Sequence, residues 1–297
     1  MKHLLEIGQL SYADCLRLLN RATYLKSHPA YPQFPGLSLA NLFYEPSTRT
    51  RISFEMAAKN LGIRVVQMDF AQSSATKGET IADTMQNLHA MGIQLFVVRH
   101  EQNGLPQKMA DAFVSDIHVI NAGDGTHEHP SQALLDMMTI LQYKPQLEHL
   151  KIVIVGDILH SRVTNSLQAL CQLMGVKELR FVAPTIWHSS AKPTFGTITS
   201  SLREGLENAD VVIGLRVQKE RLQVGETLDL VAYHRDYAIT QTSLAWAKPD
   251  VIVLHPGPLN RGIEMNSDVA DGPHSRILEQ VRNGVFMRMA ILEDLIG

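Results

Sequence analysis

A cluster of hydroxyls and arginines, Ser47, Thr48, Arg49, Thr50 and Arg51, follows Glu45 and Pro46 at the end of an apolar stretch containing Leu37, Leu39, Leu42 and Phe43. Behind it, Phe54, Ala57, Ala58 and Leu61 recur at i, i+3, i+4 and i+7, the period of a helix face. The cluster therefore sits where a buried strand turns into a helix, with Ser47 or Thr48 at the helix start. Unpaired N–H groups point out of such a terminus, the hydroxyls add donors, and the helix dipole favours negative charge, so a phosphate is the natural ligand. Arg49 adds a fork of donors matched to phosphate oxygens. On the residues alone the alternative is a capped helix with surface arginines, since capping is the commoner use of Ser and Thr.

Other groups fall at comparable places. Arg99 lies at the carboxyl end of the near-continuous apolar run IQLFVVRH, where parallel sheets collect ligands. The run VVIGLRVQ delivers Arg216 and Gln218 in the same way, an arginine that can hold a carboxylate bidentately with an amide beside it. Lys219, Glu220 and Arg221 follow, so a solvated charge run is the alternative there. The polar loop AQSSATKGET carries Ser73, Ser74, Thr76, Lys77 and Gly78 and in isolation reads as a flexible connector. His127 and His129 supply two metal ligands and no third partner stands at a recognisable spacing, so no metal is expected. Pro130 at a first helical position instead sets His129 and Gln132 at the mouth of a helix. The segment from Gly156, GDILHS, lacks the later glycines of G-x-G-x-x-G, which argues against a dinucleotide cofactor.

Those groups need strands and helices to carry them. An amphipathic helix is expected over about 11–26 with Ser11 as cap, strands over 64–70, 93–100, 151–156 and 178–183, and helices over 105–113 and 130–143. The strand HVINAG precedes the His129 segment. Residues 187–199 read as loop, 242–247 as a short helix, VIVL as a strand and 281–296 as a terminal amphipathic helix. Alternating strand and helix in two successive runs predicts an α/β fold of two doubly wound parallel-sheet domains, with the active site in the cleft between their strand ends. The expected division is 1–144 and 145–283, with helix 284–297 packing back on the first domain. A chain of 297 residues with 45% hydrophobic and 19% charged residues can build two cores. A formal charge of −3 offers no field for nucleic acid, and no membrane-spanning run or signal segment is visible. Two distant cysteines, Cys15 and Cys171, suit a reduced cytoplasmic protein.

Ser-Thr-Arg-Thr-Arg after a hydrophobic strand resembles the carbamoyl-phosphate motif of the transcarbamoylases, the family that includes aspartate and ornithine carbamoyltransferases. Further motifs resemble the family in order: S-x-x-x-K-G-E from Ser73, N-A-G-D-G-x-x-x-H-P-x-Q from Asn121, V-G-D followed by R-x-x-x-S from Val155, R-V-Q-K-E-R from Arg216, then HPGP and NRG. The resemblance implies that Ser47, Thr48, Arg49, Thr50, Ser73 and Arg99 hold carbamoyl phosphate. By the same likeness His129 hydrogen-bonds the carbamoyl oxygen, Gln132 helps hold the carbamoyl nitrogen, and Pro256 and Gly257 present backbone carbonyls. Lys77, reaching in from a neighbouring subunit, would join Arg162, Arg216 and Gln218 in binding aspartate. Arg49, Thr50, Lys77, Arg99 and His129 would carry the catalysis, with Thr50, Arg99 and His129 converging on the carbamoyl oxygen. The ornithine motifs H-C-L-P and S-M-G do not occur, and the cationic set suits two carboxylates, so the resemblance favours aspartate. Glu45, Arg162 and Arg221 resemble a domain-closing ion-pair set. The resemblance further implies no cofactor, a homotrimer with shared sites, and a place in pyrimidine biosynthesis. It leaves open a regulatory chain or a dihydroorotase partner, and a non-catalytic binding subunit is the competing class.

Overall fold

The structure is a computed structural model and describes residues 1–68, 80–113, 117–188, 193–218 and 228–297. Ser73, Lys77 and Arg221 lie outside the described residues. Helix α1 (Tyr12–Ser27) starts from Ser11, whose hydroxyl accepts from the Asp14 amide while the Asp14 carboxylate accepts from the Ser11 amide, a reciprocal cap. Strand β1 (Ser38–Phe43) leads into α2 (Thr48–Asn60), followed by β2 (Arg64–Gln67), α3 (Ile81–Ala90), β3 (Leu95–His100), α4 (Leu105–Ala112), β4 (His118–Asp124) and α5 (Pro130–Tyr143). Among the described residues these strands form a parallel sheet in the order β2-β1-β3-β4. Leu39, Ala40 and Leu42 and the run Leu95–Val98 are buried, as strands covered on both faces must be. The winding reverses between β1 and β3. The crevice beyond the carboxyl ends of such a pair is where open α/β sheets take ligands.

A second sheet is built from β5 (Lys151–Val155), β6 (Glu178–Val182), β7 (Thr197–Thr199), β8 (Val211–Gly214) and β9 (Ile252–Leu254), parallel and ordered β7-β6-β5-β8-β9. Its winding reverses between β5 and β8. Helices α6 (Arg162–Leu173), α7 (Leu202–Leu206), α8 (Leu230–Tyr237), α9 (Gln241–Leu244) and α10 (Ser267–Ala270) accompany it, and α11 (Ile277–Ile296) ends the chain. Gly156 follows β5 at φ +133°, and a Cβ there would meet the Leu215 carbonyl oxygen at 2.4 Å. Only glycine allows so close a passage.

The chain divides into two compact units, Met1–Leu135 with Val281–Gly297, and Asp136–Gln280. It passes from the first to the second within α5 and returns within α11. The returning helix is fixed to α1: Arg17 pairs with Asp294 at 2.6 Å, Arg21 with Glu293 at 2.6 Å, and Lys26 donates to Asn283 at 2.8 Å. No helix among the described residues is long and apolar enough to cross a membrane. Three expectations are corrected. Residues 187–199, read as loop, contain strand β7; helices α7, α8 and α10 had no counterpart in the reading; and the terminal helix starts at Ile277 rather than at 281. A three-residue strand and helices of four or five residues are too short to show a period, and the eight-residue α8 buries only Tyr233, so its apolar residues mark no face.

Candidate active site

In the first unit Ser47 occupies the N-cap of α2 with extended backbone, φ −158° and ψ 109°, and its side chain makes no capping hydrogen bond. The capped-helix alternative therefore fails at that residue, and the first-turn amides and hydroxyls remain suited to an anion. Thr48 and Arg49 are exposed at the same turn, whereas Thr50 faces inward at 6% exposure. Its Oγ1 lies 3.5 Å from Nε2 of His129, itself 4% exposed. The His129 carbonyl accepts from the amides of Gln132 and Ala133 at 2.9 and 3.3 Å, so the first turn of α5 fixes the histidine and buries Gln132 beside it.

Arg99 projects from the end of β3. Its Nε lies 3.4 Å from Oε2 of Glu45, its Nη1 donates to the Ala122 carbonyl at 3.4 Å, and its own carbonyl accepts from the Tyr44 amide at 2.9 Å. The loop before α2 and strand β4 thus both brace it. Pairing between β3 and β4 shifts from Val98 opposite Asn121 to His100 opposite Asp124, an extra residue on β4 facing Arg99. Such bulges re-aim side chains beside active sites. Next to Arg99, burial holds the His100 imidazole below its ordinary pKa, and its Nδ1 accepts from the Gln102 amide at 2.9 Å. A neutral ring fits that acceptor role. His127, one of the two histidines weighed as metal ligands, turns its Nδ1 to Asp124 at 3.0 Å.

In the second unit Arg162 is the first residue of α6 and only 5% exposed, so it is not a solvent arginine. Asp157, fully buried, accepts at Oδ1 from the His160 amide at 3.0 Å, with the His160 ring Nδ1 at 2.9 Å, and at Oδ2 from the Gln218 amide at 3.2 Å. Gln218 Nε2 donates to the His160 carbonyl at 2.9 Å. This network fixes the strand-end segment that carries Arg216 and Gln218, both half-buried. The Gly257 amide donates to Nδ1 of His255 at 2.8 Å, which assigns the proton of a neutral ring to Nε2, 3.4 Å from Glu264 Oε1. Asn260 Nδ2 donates to the Val217 carbonyl at 3.5 Å, tying the Pro256–Gly257 turn to the Gln218 segment.

Each sequence-derived candidate among the described residues falls at a strand end or on a helix start: Ser47, Thr48, Arg49, Thr50, Arg99, His129 and Gln132 in one unit, Arg162, Arg216, Gln218, Pro256 and Gly257 in the other. Sequence reasoning assigned no role to Asp124, Asp157, His160 or Glu264. Their signal was faint: acids and a histidine inside or beside apolar runs, where an ionisable group must find partners. Chemically, the first set offers anion binding with donors for a developing oxyanion, and the second offers cationic and amide groups for carboxylates.

Two family models match the chain. The carbamoyl-P binding domain of aspartate/ornithine carbamoyltransferase matches residues 2–142, and the Asp/Orn binding domain of that family matches residues 148–295. The aspartate carbamoyltransferase catalytic subunit of Legionella pneumophila (strain Corby) is 57% identical over 297 residues, covering all of both chains. That of Coxiella burnetii (strain RSA 493 / Nine Mile phase I) is 46% identical over 302 residues, covering 98% of this chain and 95% of the relative. Among solved structures, the aspartate transcarbamoylase of Trypanosoma cruzi in complex with carbamoyl phosphate and aspartate aligns with a TM-score of 0.88 at 30% identity, covering 98% of this chain and 95% of that one. The ornithine carbamoyltransferase of Thermus thermophilus aligns with a TM-score of 0.86 at 25% identity, covering 100% and 99%.

Proposed function

The chain belongs to the aspartate/ornithine carbamoyltransferase family, and from that premise we infer that it transfers the carbamoyl group of carbamoyl phosphate to the amino group of L-aspartate, giving N-carbamoyl-L-aspartate and phosphate. Its activity is that of an aspartate carbamoyltransferase. The observation that supports the reading is the approach of Thr50 Oγ1 to His129 Nε2 at 3.5 Å at the phosphate-type start of α2, with Arg99 3.4 Å from Glu45 in the loop before that helix.

In the reading we propose, residues 1–144 with helix 284–297 bind carbamoyl phosphate and residues 145–283 bind aspartate. Ser47, Thr48, Arg49, Thr50 and Arg99 hold the phosphate with α2 amides, and Ser73 adds a donor. Thr50, Arg99 and His129 donate to the carbamoyl oxygen as the amine attacks and a tetrahedral centre gathers negative charge there. Gln132 and the carbonyls of Pro256 and Gly257 orient the carbamoyl nitrogen and the amine. The C–O bond to phosphate then breaks, and the departing phosphate takes the amine's proton. No side-chain nucleophile is required; positioning and electrostatics lower the barrier. Arg162, Arg216, Gln218 and Lys77 from a neighbouring chain receive the two aspartate carboxylates. Glu45, Arg162 and Arg221 remain a proposed closing set.

We further propose a cytoplasmic homotrimer serving pyrimidine (UMP) biosynthesis. Free, buried Cys15 and Cys171 accord with a reducing compartment. The test is steady-state product formation from carbamoyl phosphate with aspartate and, separately, with ornithine. Carbamoylation of aspartate alone is expected. Turnover of ornithine in preference, or of neither amino acid, would overturn the assignment.

A further inference from the structure

Asp124 has no part in the reaction just described, yet its carboxylate joins the segments that carry two of the groups that do. It is 1% exposed. Its Oδ1 accepts from Asn121 Nδ2 at 2.8 Å and from the Glu128 amide at 3.0 Å; its Oδ2 accepts from the Gly104 amide at 2.6 Å and meets Nδ1 of His127 at 3.0 Å. Two partners on each oxygen match a carboxylate, which only accepts, and do not match an amide, whose NH2 would face a backbone N–H of Gly104 or of Glu128. The partners come from three stretches: the loop after β3, the bulged end of β4, and the residues immediately before His129. Arg99 immediately precedes His100, whose carbonyl accepts from the Gly125 amide at 2.9 Å, and the Thr126 amide donates to Asn103 Oδ1 at 3.0 Å. These two loops are pressed together at Gly125, where φ is +45° and a Cβ would meet Asn103 Oδ1 at 1.8 Å and the Glu101 carbonyl oxygen at 2.7 Å. The segments that carry Arg99 and His129 are thus joined through Asp124 as well as at Gly125 and Thr126.

We propose that Asp124 is a positioning residue for carbamoyl recognition: it fixes the spacing of Arg99 and His129 over the carbamoyl group, while the phosphate end depends chiefly on the start of α2, from which none of its four partners comes. The inference rests on the reading that Arg99 and His129 act on carbamoyl phosphate. It separates two quantities that general destabilisation would move together, the affinity for inorganic phosphate and the use of carbamoyl phosphate.

The experiment is steady-state kinetics on folded, full-length Asp124→Asn protein, with inorganic phosphate as competitive inhibitor against carbamoyl phosphate. A displacement of about 1 Å at a catalytic group costs about 100-fold, so kcat is expected to fall by about 10- to 100-fold and the KM for carbamoyl phosphate to rise, with the phosphate Ki moving by much less because Arg99 is one of several side chains on the phosphate. Gly125→Ala leaves the carboxylate intact and forces the same loops apart, and it should give the same split even if the Asn variant does not fold. Wild-type kinetics in folded Asn protein, or parallel loss of phosphate and carbamoyl phosphate affinity in both variants, would overturn the inference alone. Wild-type protein that binds phosphate but does not use carbamoyl phosphate would overturn the proposed function, and this inference with it.

Discussion

His129 Nε2 and Thr50 Oγ1 stand 3.5 Å apart, close enough to share one incoming oxygen between them. If that oxygen is the carbamoyl oxygen, His129 matters most when charge gathers on it. Replacing a single oxyanion donor costs about 100- to 1,000-fold in kcat, and His129→Ala is expected to lose turnover on that scale while the Ki of phosphate barely moves. Steady-state kinetics with phosphate as competitive inhibitor checks both quantities. Arg162 tests the other substrate. Its guanidinium stands at a helix start, 5% exposed, and in the proposed reading it receives a carboxylate of aspartate. Hydrogen bonds to charged groups contribute about 1.5–3 kcal/mol, so Arg162→Met should raise the aspartate KM by about 10- to 100-fold and spare phosphate binding. Unchanged aspartate saturation would remove Arg162 from the site.

At the scale of elements, the local signals were sufficient where they were strong. Ser11 announced α1, the switch from apolar run to 3.6-residue period placed the start of α2, and Pro130 marked the first residue of α5. The α1 cap is open to measurement: Ser11→Ala should cost about 1 kcal/mol of stability, read as a lower thermal midpoint. Side-chain and backbone hydrogen bonds from Ser11, with Arg17 beside them, hold the Asp14 carboxyl down to about 2. A carboxylate depressed on folding adds stability above its unfolded pKa of about 4 and loses it as pH falls towards 2, so the gap between wild type and Ser11→Ala should narrow over that window. A gap that widens on acidification would contradict the assignment. What the sequence hid is mostly tertiary. The Asp157 carboxylate meets the Gln218 amide 61 residues away and Asp124 meets Gly104 20 residues away, and no local period records such pairs. The burial of Arg162 was equally hidden, because first-turn residues carry no mark of what covers them. Strand β7 was lost to its length and to a Ser-, Thr- and Pro-rich surrounding.

At the scale of the whole molecule, strand β2 is the edge of the first sheet among the described residues, and helix α2 beside it exposes Ile52 and Met56 one turn apart, with Val66 exposed on β2 itself. Gln67 donates to Glu55 at 2.8 Å, which holds β2 against α2. An apolar surface beside a strand edge is the kind that a second copy of the chain would cover in the proposed homotrimer, whose sites would take Lys77 from a neighbour. Hybrid trimers test the sharing directly. Lys77→Ala protein retains Arg99, and Arg99→Ala protein retains Lys77, so neither alone contains a complete site. Around a mixed ring, a complete site arises wherever a chain retaining Arg99 is followed by one retaining Lys77, and a ring of three with both kinds contains one such junction. Random assembly from equal amounts leaves about three-quarters of trimers mixed, each about one-third active, so about a quarter of wild-type activity should return. Proven mixed trimers that remain inactive would mean that each chain completes its own site, and the covering of Ile52, Met56 and Val66 would then need a reason other than catalysis.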